Sequence, residues 1–446
     1  MSGGISKRLF SGVRGYNRGM EIAPSPIAAL LQKLSQGDAT AEEIVFDALT
    51  RANGNASTNT YLAFDAEWSL EQARGLSGRP AKGSLAGLPV ALKDCFDLQG
   101  FVTSSGSRFY ARHLPAASAD SWVAERLKAA GAVITGKTHL HQLAYGITGE
   151  NRDYGNCLQP DDASLLTGGS SSGSAAAIQE GSALAAIGTD TGGSVRAPAA
   201  LCGLAGYRAS LGVGNWRGGA HLTPSCDTIG WLCRDLRDLP LLAHALFGIS
   251  AAALETPPIR VGCLRGGLMD GCDVPVLHTM QVWEERVRRS GAETFDLHAD
   301  FWSEAYTIYA PIQAHEASAL HTGFYGEFEP AIAERLSWGA AMALAEVAEW
   351  RMKREAFVAE MNDLFTAFDF LLLPTMPLTR LVAGADHAVS RARILPYTTP
   401  ASLAGLPAVV LPARPVGMQL LAARGRDAEL LTFAKTLGEA LAAEVS

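Results

Sequence analysis

The 446-residue chain contains no CxxC pair. That excludes a zinc ribbon and a thioredoxin-type redox motif. Its seven cysteines, at 95, 157, 202, 226, 233, 263 and 272, are scattered and odd in number. They read as small core hydrophobes in a reduced, cytoplasmic compartment. An excess of basic residues is missing too: 37 Lys and Arg stand against 45 Asp and Glu, for a net charge of −8. This balance argues against direct contact with nucleic acid. No uncharged apolar run reaches the roughly 18 residues that a membrane-spanning helix needs. Residues 181–206 are apolar but are interrupted by GTDTGG. The first 19 residues carry four basic and no acidic side chains, without the apolar centre of a secretory signal. Residues 1–20 read as a disordered tail or as the product of a start upstream of Met20. The sequon Asn55-Ala56-Ser57 has no use in a cytoplasmic protein. With no repeat, low-complexity linker or long charge run, residues 21–446 are expected to form one domain.

What is present is a large apolar fraction, 48% of residues, arranged in alternating helical and strand-like segments. Two amphipathic helices occupy residues 24–53, the second opening at a Thr cap and closing at Gly54. GLPVALKDCFDLQG holds a strand from Leu88 to Leu92 that ends at Lys93. The helix SADSWVAERLKAAG and the strand AVITGKT follow. Residues 325–368 are predicted to be largely helical, and FDFLLLPTMP, LPAVVLPA and PVGMQLLA read as late buried strands. Alternation of this kind predicts an α/β fold, a sheet flanked by helices.

The chemistry concentrates in residues 165–207. GGSSSGS is too flexible for a helix or strand interior and suits a tight loop opening the helix SAAAIQE, which Gly181 ends. SALAAIG then has the length of a buried strand. TDTGGS leaves its carboxyl end, where ligands bind in such sheets, and SVRAPAALCG follows as a helix. Ser194 would therefore stand at a helix N-terminus beside the amides of Thr191, Gly192 and Gly193, an arrangement that holds an oxyanion. A serine nucleophile needs a base, and this region contains no histidine. Lys93, ending an apolar strand, is the alternative, since burial lowers the pKa of a lysine.

GGSSSGSAAA, GTDTGGSVRAPAALCGL and GLPVALKDCFD together resemble the signature segments of the amidase signature family, and AGAVITGKT, FDFLLLPTMP and TTPASLAGLPAVVLP match in place. The resemblance spans most of the chain. It implies one large mixed sheet covered by helices on both faces. It implies Lys93 as base, Ser170 as proton relay after a cis peptide bond, and Ser194 as nucleophile. It implies hydrolysis of a small carboxamide through an acyl-enzyme, with no metal or organic cofactor. The expected partner is the small amide itself, with no membrane and no direct nucleic acid; a homodimer is admitted but not required. A glutaminase-like subunit of a transfer-RNA-dependent amidotransferase is the second reading, and a non-catalytic relative the third.

Asp190 and Arg196 are expected to orient the turn, and Ser171 to support the triad from behind. The chain departs from the family pattern at GKTHLHQLA, at GLAGYRAS, at Trp231, and in the short run between VVLPA and RPVGMQLLA. Pocket walls come from such segments. The candidates are Tyr145, Gly146, Ile147, Thr148, Thr167, Trp216 and parts of 305–330. Three decoys are set aside. GAVITGKT (131–138) matches the P-loop pattern, but its strand lies inside the motif. GSSSG (169–173) matches a nucleophile elbow around Ser171, as in an α/β-hydrolase esterase, but QPDDASLLTG before it is a poor strand. His139 and His141 lack further metal ligands and are expected to be one polar and one packed histidine.

Overall fold

The computed structural model describes residues 23–76, 83–254 and 258–445; the tail expected over residues 1–20 lies outside them. Among these residues fourteen α-helices accompany an eleven-stranded mixed sheet. The strand order is Tyr61–Ala63, Val133–Thr138, Pro89–Lys93, Ala185–Asp190, Thr228–Cys233, Ala205–Arg208, Ala408–Leu411, Met418–Ala422, Phe370–Pro374, Arg260–Leu264, Glu293–Leu297. Alternate residues of a strand face opposite sides. Phe370 and Leu372 enter one apolar cluster while Leu371 and Leu373 enter another, so the sheet is packed on both faces. That is why its strands read as continuous apolar runs rather than as alternating ones.

Local signals set the element ends. Thr40 accepts from the Glu43 amide while the Glu43 carboxylate accepts from the Thr40 amide, and the helix Ala41–Gly54 starts there. Gly181, at φ 79°, takes the left-handed conformation that stops the helix Ser172–Glu180. The predicted helical stretch resolves into Pro330–Ala341 and Leu344–Ala367. The short run after VVLPA forms an antiparallel pair, Ala408–Leu411 with Met418–Ala422, whose connection contains a cis Arg414–Pro415 bond.

Two neighbouring strands position the site. Pro89–Lys93 and Ala185–Asp190 run parallel, with Val90 opposite Ala185 and Leu92 opposite Ile187. Their carboxyl ends therefore emerge side by side, carrying Lys93 on one and Thr189-Asp190 on the other. Thr228–Cys233 then pairs antiparallel with Ala185–Asp190, placing Thr228 opposite Asp190.

Several expectations need correction. Residues 159–168 are not strandless: Leu158–Gln159 and Asp162–Leu166 pair as a separate antiparallel hairpin. Its backbone is satisfied within the hairpin and by the Leu381 carbonyl, so three exposed residues at its start are tolerated. Both His139 and His141 are buried, His139 through a bond between Nε2 and the Gly155 carbonyl at 2.8 Å. Burial lowers the His139 pKa to about 4, so it stays neutral. Among the described residues no group of three or more potential metal ligands occurs. The P-loop lysine, Lys137, lies inside the strand Val133–Thr138, with its Nζ 2.6 Å from the Asp94 carboxylate, and cradles no phosphate. All seven cysteines are free and six are buried. No helix of the described residues is long and apolar enough to cross a membrane.

Candidate active site

Lys93 is fully buried at the end of its strand. Its Nζ donates to Ser170 Oγ at 2.8 Å and to Thr189 Oγ1 at 2.7 Å. Burial pushes the ammonium down to about 8, against the opposing pull of Cys95, Asp190 and Asp227. The neutral form is thus roughly a tenth of the population at pH 7 and dominates above pH 8. Ser170 follows a cis Gly169–Ser170 peptide bond and lies, fully buried, in the loop that opens the helix Ser172–Glu180. The Ser171 amide donates to the Ser194 carbonyl at 3.1 Å, tying the two serine loops together. Ser171 Oγ turns away to the Thr189 carbonyl at 3.3 Å.

The turn bearing Ser194 is built around one carboxylate. Asp190 Oδ1 accepts from the Gly193 amide (2.9 Å), Arg196 Nη2 (2.9 Å) and Arg208 Nη1 (2.8 Å). Its Oδ2 accepts from the amides of Val195 and Arg196, both at 3.2 Å, and from Arg196 Nε at 3.0 Å. Burial raises the carboxyl pKa, but the Arg196 and Arg208 guanidiniums outweigh it and hold the group below the usual carboxylate range. Arg196 continues outward to the Thr398 carbonyl, Gln419 Oε1 and Ser402 Oγ. Thr398 Oγ1 in turn donates to the Gly192 carbonyl at 2.6 Å. Asp190 and Arg196 therefore shape the turn, as expected, and Arg208 joins them.

Of the three amides expected to face an oxyanion, that of Gly193 is already engaged by Asp190, because closing the turn aims it at the carboxylate. This corrects the expectation and leaves the Thr191 and Gly192 amides. Thr191 is held through its hydroxyl, which donates to Asp227 Oδ1 at 2.7 Å. Gly192 has no room for a side chain: a Cβ there would lie 2.6 Å from the Tyr309 hydroxyl. Ser194, 4% exposed, makes no side-chain hydrogen bond with the other described residues.

Ser194 opens into a narrow cavity with an empty volume of about 260 Å³. Tyr145, Gly146 and Ile147 line it as expected, together with Gly192, and Tyr309 and Gln313 come from the anticipated 305–330 stretch. Thr148, Thr167 and Trp216 do not line it. Thr148 Oγ1 donates to Glu150, Thr167 Oγ1 donates to the Gly168 carbonyl, and Trp216 stacks between Phe96 and His221. Their polar and aromatic faces are satisfied elsewhere. Beyond Ala144 lies a wider cavity, lined in part by Cys95, Ser105, Tyr110, His221 and His321.

The sequence reading missed Thr189, Arg208, Asp227, Tyr309, Gln313, Thr398 and Arg391. Thr189 had a signal, since it precedes Asp190 on a strand and so faces the opposite side, toward Lys93. The others come from segments that carry no local pattern.

The Amidase family profile matches residues 43–431. AtzE, one of the components of 1-carboxybiuret hydrolase from Pseudomonas sp. (strain ADP), is 30% identical over 92% of this chain and 97% of its own length. A glutamyl-tRNA(Gln) amidotransferase component, GatA-like by this same measure of similarity, comes from Chloroflexus aurantiacus and is 31% identical over 91% of this chain and 94% of its own. A crystal structure of an amidase, 30% identical, superimposes with a TM-score of 0.85 over 92% of this chain and 98% of that one. The chain belongs to the amidase signature family of hydrolases that act on carbon–nitrogen bonds.

Proposed function

We propose that the protein hydrolyses a small carboxamide to a carboxylate and ammonia or an amine, through an acyl-enzyme on Ser194. The observation that carries this reading is the 2.8 Å contact between a buried lysine and Ser170, set beside the clamped Ser194 turn. Neutral Lys93 keeps its donor bond to Thr189 and accepts the Ser170 proton, while Ser170 takes the proton of Ser194. Ser194 Oγ attacks the amide carbonyl, and the Thr191 and Gly192 amides stabilise the oxyanion. The proton returns to the leaving nitrogen, and water cleaves the ester. Seven free cysteines support a reducing, cytoplasmic setting.

The test is intact-mass spectrometry after a fluorophosphonate probe, on the natural chain and on Ser194→Ala, with ammonia release followed over a panel of amides. A single adduct lost in the variant supports the nucleophile. An adduct that persists in Ser194→Ala overturns it.

The similarity to an amidotransferase component favours a second reading, in which ammonia passes to a partner protein. Ammonia release by the isolated chain supports the hydrolase; release only with an ATP-using partner supports the amidotransferase.

A further inference from the structure

The wall of the Ser194 cavity carries a positive charge with no carboxylate to balance it. Arg391, on the helix Ala388–Ala404, lines the cavity together with Ser194. Its Nη1 donates to the Tyr306 hydroxyl at 3.0 Å. That bond aims the guanidinium without neutralising it. Among the described residues no carboxylate oxygen lies within 4.0 Å of Arg391.

A second guanidinium stands close by. Arg335, on Pro330–Ala341, stacks over the ring of Tyr145, itself a wall residue, with its Cζ 4.4 Å from the ring centroid. Its Nη2 donates to the Tyr145 carbonyl at 2.8 Å, and its Nε is buried without any hydrogen-bond partner. Burial, and after it the charge of Arg391, pushes the Arg335 guanidinium down to about 10. The two cations therefore repel each other. Arg335 is also without a carboxylate within 4.0 Å among the described residues. Elsewhere the same chain neutralises its buried charges closely: Asp190 faces Arg196 and Arg208, and Lys137 faces Asp94.

A buried cation left unpaired is costly, and so is a buried N–H without an acceptor. Packing on Tyr145 accounts for one face and one N–H of Arg335. It leaves Nε, and it does nothing for Arg391. The nearest titratable groups do not supply the missing charge. His141 is held neutral by burial and by these two arginines, and burial raises the Tyr145 phenol to about 12.

Resting on the proposed amidase reading, we propose that Arg391, assisted by Arg335, binds an anionic group of the substrate, so that the amide cleaved is that of a short acid carrying a free carboxylate near the scissile carbonyl. A guanidinium matches a carboxylate with parallel N–H bonds. The small cavity admits only a short chain between that carboxylate and the carbonyl. Arg391 is then a specificity-determining residue and takes no part in bond cleavage.

The test is calorimetric binding to Ser194→Ala, which keeps the ligand intact. The probes are the monoamides malonamate, succinamate and glutaramate, and the neutral diamides of the same lengths. At least one monoamide should bind about tenfold or more tightly than its diamide, and added salt should weaken that preference. Arg391→Gln in the same background should abolish the preference, and Arg391→Lys should restore part of it. Equal binding of monoamide and diamide, no binding of any monoamide, or a preference unchanged by Arg391→Gln overturns the inference. Fluorophosphonate labelling of Ser194 in the Arg391→Gln single variant checks its fold, because that probe needs no carboxylate. Labelling without charge preference removes the anion site and leaves the amidase reading standing. Charge-selective binding without labelling removes the nucleophile and leaves the anion site.

Discussion

Lys93 Nζ meets Ser170 Oγ at 2.8 Å across 77 residues of sequence, at the mouth of two parallel strands. The lysine is a base only when it has lost its proton, and burial has brought that event to about pH 8. Raising the pH therefore populates the active form. kcat/KM for an amide substrate should climb from pH 6.5 and level off above pH 8, with an inflection near 8. Lys93→Ala should lose about 10²- to 10⁴-fold and the rising limb with it. A profile that is flat across this range would remove Lys93 from the proton path.

Asp190→Asn keeps the shape of the side chain and removes its charge, stranding Arg196 and Arg208 in a fully buried site. Breaking a buried pair in this way costs about 3–5 kcal/mol. Urea denaturation should show a loss of that size, and Ser194 should label more slowly in whatever protein stays folded. Unchanged stability would mean that the two arginines find other partners.

Gly192→Ala places a methyl group 2.6 Å from the Tyr309 hydroxyl. The turn and the tyrosine must then separate, moving an amide that faces the cavity. We expect kcat to fall by about a hundredfold, as sub-ångström to ångström misplacements do. Tyr309→Phe, which deletes the oxygen in conflict, should recover part of the loss. Additive losses in the double variant would argue against the steric cause.

Lys137, the lysine of the apparent P-loop, should prove structural. Lys137→Met leaves the Asp94 carboxylate buried and unpaired, at a cost of about 3–5 kcal/mol. ATP with magnesium should leave the Tm of the natural chain unchanged. A dose-dependent rise in Tm would reinstate nucleotide binding.

The parts of the site that were legible in the sequence are those made by short contiguous segments. GGSSSGS and GTDTGGS announce loops at the ends of elements, and an apolar run ending in Lys93 announces a buried amine. The sheet was legible for the same reason, since strands buried on both faces write themselves as apolar runs. What stayed hidden depends on encounters between distant segments. Arg391 is a lone arginine on a helix, indistinguishable in sequence from a solvated surface charge. Tyr309 is one aromatic among several in its helix and matters only because Gly192 lies beneath it. Trp216 failed in the opposite sense: its size suggested a pocket wall, but stacking on Phe96 and His221 uses both of its faces.

The clamp on the Ser194 turn reaches far along the chain. Through Arg196 the turn is fastened to Thr398, Ser402 and Gln419, more than 200 residues downstream. During synthesis the nucleophile leaves the ribosome long before the residues that give its loop a shape. A nascent chain released early, or clipped ahead of residue 398, carries the serine but not the geometry. Hydrolytic competence thus arrives only with the last portion of the polypeptide, and incomplete products are silent rather than promiscuous.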